Sequence, residues 1–197
     1  MQKKNIKKEF VRYKIVISIL LISLVVFIGY NISKYIFKTY LYPLTYFDII
    51  KNEANKNKLD PYLVLAIIKS ESGFNKDAIS KKNAKGLMQI MDSTANEISK
   101  KQPITENIDN TNIFDPNVNI SIGCNYFATL HTKYRGNIYI AICAYNAGMG
   151  NVDKWLETNI ISKELNEYKN IDLPFKQTSK YLHKVISSYN MYKFLYK

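Results

Sequence analysis

Alanine is absent from the first 53 residues of this 197-residue chain; the first is Ala54. Signal peptidases cut after small residues, typically alanine, so this gap argues against a cleavage site near the N-terminus. No cysteine stands near that region either, which excludes a lipoprotein anchor. The whole chain holds two cysteines, Cys124 and Cys143, and two histidines, His131 and His183, with no ligand spacing among them. No zinc site and no other metal centre is therefore expected. The two thiols fit either a single structural disulfide in an oxidising compartment or a pair of buried free thiols. No Lys/Arg stripe with interleaved aromatics occurs at helical spacing, which ranks nucleic acid low as a partner. Strand-like alternation is scarce, and no internal repeat or low-complexity linker is visible. Alanine and glycine are few while Asn, Lys, Ile and Tyr abound. That bias suggests an AT-rich genome and says nothing of function.

The net charge is +12, and most of it sits at one end. Residues 1–38 carry eight Lys/Arg against Glu9 alone, a net +7, which leaves +5 for the rest. A residual positive charge favours an anionic polymer, and phosphate-rich cell-wall polymers qualify as well as DNA. Between Lys14 and Lys34 lie 19 uncharged residues, Ile15 to Ser33. As a helix they span ~28 Å, about one hydrocarbon thickness. Lys3, Lys4, Lys7, Lys8, Arg12 and Lys14 precede the run, so the positive-inside rule keeps that end in the cytoplasm. The reading is a single-pass cell-membrane protein: a cytoplasmic basic tail (1–14), an uncleaved transmembrane signal anchor (15–33), a juxtamembrane connector (34–45) and an extracytoplasmic domain (46–195). A cleaved signal is the alternative, and it too exports the domain.

The exported part is expected to be mainly α-helical. Asp60-Pro61 reads as an N-cap followed by a first-turn proline, opening a helix through Leu63, Leu65, Ile67 and Ile68. Asp115-Pro116 repeats that signature, and its helix stops near Gly136. Thr94 with Glu97 fits a capping box. Ile138 to Ala147 reads as a compact apolar helix ended by Gly148 and Gly150, and a last amphipathic stretch begins near Thr178.

Glu71 stands at the end of the helix opened by Pro61, just before Ser72-Gly73. A carboxylate there meets the negative end of the helix dipole. Partial burial against Ile67, Ile68 and Phe74 also disfavours its charge, so its pKa is expected to rise toward ~6. A carboxylic acid that stays protonated near neutrality is what protonation of a glycosidic oxygen requires. Taken alone, this argument does not displace the plainer reading of an exposed glutamate on a polar helix face.

The surroundings do displace it. The stretches ESGFNKDAIS (71–80), AKGLMQIMDSTA (84–95) and AYNAGMGNV (144–152) resemble the soluble lytic transglycosylase (SLT) domain, grouped with goose-type lysozymes in glycoside hydrolase family 23. The resemblance covers roughly residues 46–195, with three motifs in the right order and spacing. It implies a lysozyme-like helical domain with a deep glycan cleft, peptidoglycan strands as the partner, and no cofactor. It also implies Glu71 as the sole catalytic carboxylate, with Ser80 contacting it. The GLMQ motif falls on Gly86, Leu87, Met88 and Gln89, and AYNAG on Tyr145, Asn146, Ala147 and Gly148. Substrate contacts are expected from Ser80, Met88, Gln89, Tyr145, Asn146 and Tyr181, with Phe74 and Met88 as apolar walls. Asp77 and Asp92 read as loop and cap residues.

Four positions depart from the family pattern: Asn83 stands for Gly, Asp92 for Pro, Met149 for Pro and Gln177 for Glu. None bears directly on the chemistry. The reaction implied is cleavage of the bond between N-acetylmuramic acid and N-acetylglucosamine with closure of a 1,6-anhydro ring. Hydrolysis of the same bond, or an idle peptidoglycan-binding scaffold, are the alternatives. No residue pattern identifies a protein partner.

Overall fold

The computed structural model describes residues 2–101, 112–166, 168 and 171–197, and the chain divides into two compact units, Met1–Pro43 and Leu44–Lys197. The first unit is one helix, α1 (Gln2–Ile36), running into a π-helical turn at Phe37–Leu41. Arg12–Leu41 is long and apolar enough to cross a membrane, and its apolar side chains are exposed. Ser23 and Asn31 interrupt the apolar run, and both bond back to their own helix, to Leu20 O at 2.8 Å and Phe27 O at 2.7 Å. The expected connector over 34–45 is therefore helical as far as Leu41. No proline or glycine stands between Lys34 and Pro43, so nothing in the connector ends the helix sooner.

The second unit contains α2 (Phe47–Lys56), α3 (Pro61–Glu71), α4 (Asp92–Lys101), a 3-10 turn (Asn112–Phe114), α5 (Pro116–Lys133), α6 (Ile138–Ala147), α7 (Met149–Glu157) and α8 (Lys176–Tyr196). Leu63 to Ile68 are buried without interruption, and a helix apolar on every side belongs at the centre of a domain. α3 lies there, packed along α8 and against α2, while α6 contacts both α5 and α8. Both proline-led starts form as the sequence predicts. Asp60 accepts Tyr62 N–H at 2.9 Å, and Asp115 accepts Asn117 N–H at 2.9 Å and Val118 N–H at 3.2 Å.

Three boundaries differ. α4 begins at Asp92, so Thr94 and Glu97 lie inside the helix and form no capping box. The carboxylate of Asp92 instead sits at the positive end of the helix dipole and meets Lys85 Nζ at 2.8 Å. α8 starts at Lys176, ahead of Thr178. α7 was not anticipated, because Gly148 and Gly150 read together as a stop. Only Gly148 takes a left-handed φ of 85°, and it joins α6 directly to α7.

Cys124 on α5 and Cys143 on α6 are buried free thiols, which decides between the two readings. Burial pushes both upward, Cys143 to about 12 and Cys124 higher still, so neither is a nucleophile near neutral pH. Intact-mass analysis should show no two-hydrogen gain on reduction. Replacing either by alanine should cost about 1 kcal/mol through lost packing, read in a thermal melt, with turnover unchanged.

Candidate active site

The chain that leaves α3 folds back on the helix end and builds one wall of a cleft. Ser72, the C-cap, donates its hydroxyl to Leu87 O at 2.8 Å and accepts Phe74 N–H at 3.2 Å. Gly73 and Phe74 both adopt left-handed backbone, at φ 59° and 70°, which turns the chain sharply beyond Glu71. For Phe74 this conformation is strained. Ser80 then closes a tight loop: its Oγ accepts Lys82 N–H at 3.2 Å and Ala84 N–H at 3.0 Å. With both lone pairs of Oγ engaged, the hydroxyl proton remains available as a donor. Two isolated antiparallel bridges, Ile79 with Lys85 and Lys85 with Ile90, complete the turn. Gln89 holds it from within, donating its amide to Ala78 O at 3.1 Å and Gly86 O at 2.9 Å.

Buried Asn119 on α5 pins this segment to the core. It donates to Lys85 O at 3.0 Å and Ile113 O at 2.8 Å, and accepts Met88 N–H at 2.7 Å. A Cβ on Gly86 would lie 2.3 Å from Asn119 Nδ2, and one on Gly123 2.3 Å from Met88 Sδ. Glycine at both positions is what permits the close approach.

Glu71 is largely buried yet opens onto this cleft. Tyr181 of α8 donates its hydroxyl to Glu71 Oε1 at 2.6 Å. Burial raises the Glu71 pKa to about 7, against the opposing pull of the Tyr181 hydrogen bond and the Lys184 charge. Tyr145 of α6 donates to Met88 O at 2.8 Å. Burial, and then the nearby Glu71 charge, hold both tyrosine hydroxyls protonated far above neutrality. The cleft encloses about 640 Å³, and Glu71 is the one carboxylate among its described lining residues.

Of the expected site residues, Glu71, Ser80, Gln89, Tyr145 and Asn146 all line this cleft. Met88 does not: it is fully buried against Gly123, and its carbonyl is what the site uses. Tyr181, 8% exposed, stands behind Glu71 rather than along the wall. Phe74 does not line the cleft either. The side-chain partner of the Glu71 carboxyl is Tyr181, while Ser80 serves its own loop.

Tyr126, Thr94, Lys81 and Lys82 line the cleft without having been singled out for it. Tyr126 comes from α5 with its ring 5.4 Å from that of Tyr145, a proximity set by helix packing that no local motif announces. The departures have local explanations. Asn83 takes the left-handed φ of 62°, which asparagine tolerates better than most residues. Met149 is the first residue of α7. Gln177 lines the cleft beside Thr178, whose hydroxyl donates to Asn146 Oδ1 at 2.9 Å.

A helical domain that presents one carboxyl from the end of its central helix to an open cleft is lysozyme-like in layout. Residues 48–168 match the transglycosylase SLT domain, and the chain belongs to that family. It is similar to membrane-bound lytic murein transglycosylase C of Edwardsiella ictaluri (strain 93-146), with 33% identity over 168 residues, 75% of this chain and 46% of that protein. The chain thus spans about half the length of that relative. Among solved structures it resembles an inactive glutamate-to-glutamine mutant of the lytic transglycosylase Slt from Pseudomonas aeruginosa, at TM-score 0.68 and 32% identity, over 78% of this chain and 24% of that one. It resembles equally the 70-kDa soluble lytic transglycosylase of Escherichia coli, at TM-score 0.70 and 29% identity, over 78% of this chain and 25% of that one.

Proposed function

We propose that this protein is a peptidoglycan lytic transglycosylase that cleaves the β-1,4 bond between N-acetylmuramic acid and N-acetylglucosamine and leaves 1,6-anhydro-muramic ends. The observation that carries the proposal is a single carboxyl, Glu71, held at a pKa of about 7 at a cleft whose other described lining residues are not acidic. Most glycosidases need two carboxylates, one on each side of the scissile bond. In the reaction proposed, one carboxyl serves twice and the nucleophile comes from the substrate. Family membership, and the inactivity of the related Slt with glutamine for one glutamate, support the same reading.

Glu71 enters the cycle protonated. With Oε1 accepting from Tyr181, the proton sits on Oε2. It passes to the glycosidic oxygen as the bond from muramic C1 to that oxygen breaks. The substrate N-acetyl group stabilises the cation at C1. The carboxylate then takes the proton of the muramic 6-hydroxyl as its oxygen bonds to C1, and Glu71 is protonated again with no water consumed. Ser80, Gln89, Tyr145 and Asn146 contact the sugars, and Tyr181 orients the acid. Mass spectrometry of peptidoglycan digested by the full chain tests this: the new ends should be lighter by one water than reducing ends. Reducing ends would make the protein a hydrolase, and intact strands a binding scaffold.

The same proposal places α1 across the cell membrane, with the Lys-rich tail in the cytoplasm and the SLT domain outside. Positive charge before the span and the membrane-bound relative support it. The protein should stay with the membrane fraction through a high-salt wash, and protease added to intact spheroplasts should digest the SLT domain. Release of a protein beginning beyond Ser33 into the medium would overturn the anchor and leave the chemistry standing.

A further inference from the structure

α8 reaches the last turn of α3 with two side chains. Tyr181 donates to Glu71 Oε1 at 2.6 Å, and Lys184 Nζ donates to the main-chain carbonyl of Ser70 at 2.8 Å. Three residues apart on one helix, they share a face, and they grip consecutive residues of α3. α3 and α8 also form the most extensive helix pair in the domain. We infer that Lys184 is a positioning residue for Glu71: it fixes the final turn of α3 against Tyr181 and brings an ammonium to the helix end that carries the carboxyl. The inference rests on Glu71 being the acid and base of the proposed reaction.

The last carbonyls of a helix have no partner within it and form the negative end of its dipole. The carbonyl of Ser70 is one of these, and the ammonium of Lys184 satisfies it. Because the acceptor is main chain, the bond does not depend on the Ser70 side chain, whose buried hydroxyl has no hydrogen-bond partner among the described residues. At this helix end, burial and the dipole both favour a neutral Glu71. A carboxyl that must give its proton and then take one back needs the balance held near the working pH. Lys184 pulls toward ionisation, against burial. The other groups about the carboxyl do different work. Tyr181 from α8 and Tyr145 from α6 stay protonated. Lys69 of α3 has its own ammonium depressed by burial and by Lys184. Lys81 and Lys82 belong to the loop across the cleft.

The test uses the full chain in detergent with Lys184→Met, Lys184→Gln and Lys184→Arg. Removing the charge should move the alkaline limb of kcat/KM upward by roughly half a pH unit, a modest shift because Lys184 is solvent-exposed. It should also lower kcat several-fold with KM little changed. Lys184→Gln retains a donor for the carbonyl without the charge, so it should shift the limb as Lys184→Met does, and it serves if the methionine variant fails to fold. Lys184→Arg should restore the wild-type limb. Carbon-13 titration of the Glu71 carboxyl, assigned by its loss in Glu71→Gln, should show the same upward movement. Loss of activity with an unmoved limb and midpoint would make Lys184 merely structural and overturn the inference. Activity surviving in Glu71→Gln would instead overturn the acid–base reading, and the carboxyl midpoint alone would then decide the role of Lys184.

Discussion

Replacing Glu71 by glutamine should lower the release of soluble fragments from peptidoglycan about a thousandfold or more, while the variant still sediments with insoluble sacculi as the native protein does. The amide keeps the shape of the side chain, and its oxygen can still accept the Tyr181 hydroxyl that holds Glu71 at 2.6 Å. What it loses is the transferable proton. General acid–base groups contribute roughly 10²–10⁴-fold, and in the proposed reaction one group serves both proton transfers, with no second carboxylate in the described lining to take over. The pH profile of the native protein should carry the same signature. The free enzyme must be protonated to begin, so kcat/KM should fall about tenfold per pH unit above the Glu71 pKa of about 7. The burial of Glu71 thus sets a working range that reaches neutrality, above the ~6 anticipated from helix-end placement and partial burial. Activity flat from pH 4 to 9, or retained in the glutamine variant, would remove Glu71 from the mechanism.

What was legible beforehand divides by the range of the interaction. Asp60-Pro61 and Asp115-Pro116 announce helix starts because a cap and its proline act within a few residues, and both caps form. Gly148 also acts locally, but whether the chain beyond it resumes as a helix depends on Val152 and Trp155 finding the core, which they do. The clustering of Glu71, Ser80, Gln89, Tyr145 and Asn146 followed from motif order. Their individual roles did not. Which hydroxyl reaches the Glu71 carboxyl depends on how α8 lies along α3, and that packing brings Tyr181 from 110 residues away. Met88 looked like a cleft wall because methionine suits apolar contacts. Whether it faces the cleft or the core is settled by Gly123, which leaves a space on α5 that the thioether fills. The carbonyl of Met88, invisible to side-chain reasoning, is what anchors Tyr145. The length of α1 was underestimated for a simpler reason: charge marked Lys34 as the end of the apolar run, but charge does not end a helix.

The same substitution that removes activity should stabilise the fold, and only above about pH 5. Glu71 titrates near 4.5 when unfolded and is raised to about 7 in the native protein. Between those values the folded state holds a proton that the unfolded state has released, so native stability falls as pH rises through the window and levels off beyond it. The shift is 2.5 pH units, which at 1.36 kcal/mol per unit corresponds to about 3 kcal/mol lost by pH 8. Glutamine cannot ionise, so Glu71→Gln escapes the loss. Burying an amide in place of a neutral carboxyl changes stability by an amount that does not vary with pH, and the pH dependence of the difference therefore isolates the ionisation. At pH 4, where the Glu71 carboxyl is largely neutral in both states, the two proteins should melt within a degree or two of that constant offset. At pH 8 the variant should melt roughly 6–12 °C higher relative to the same offset, given ~2–4 °C per kcal/mol for a domain of this size. Parallel melting curves for the two proteins from pH 4 to 8 would mean that Glu71 is ionised at no cost in the folded state. An acid that ionises freely could not hold its proton for a glycosidic oxygen near neutrality, so that result would count against the proposed chemistry as well as against the stability argument.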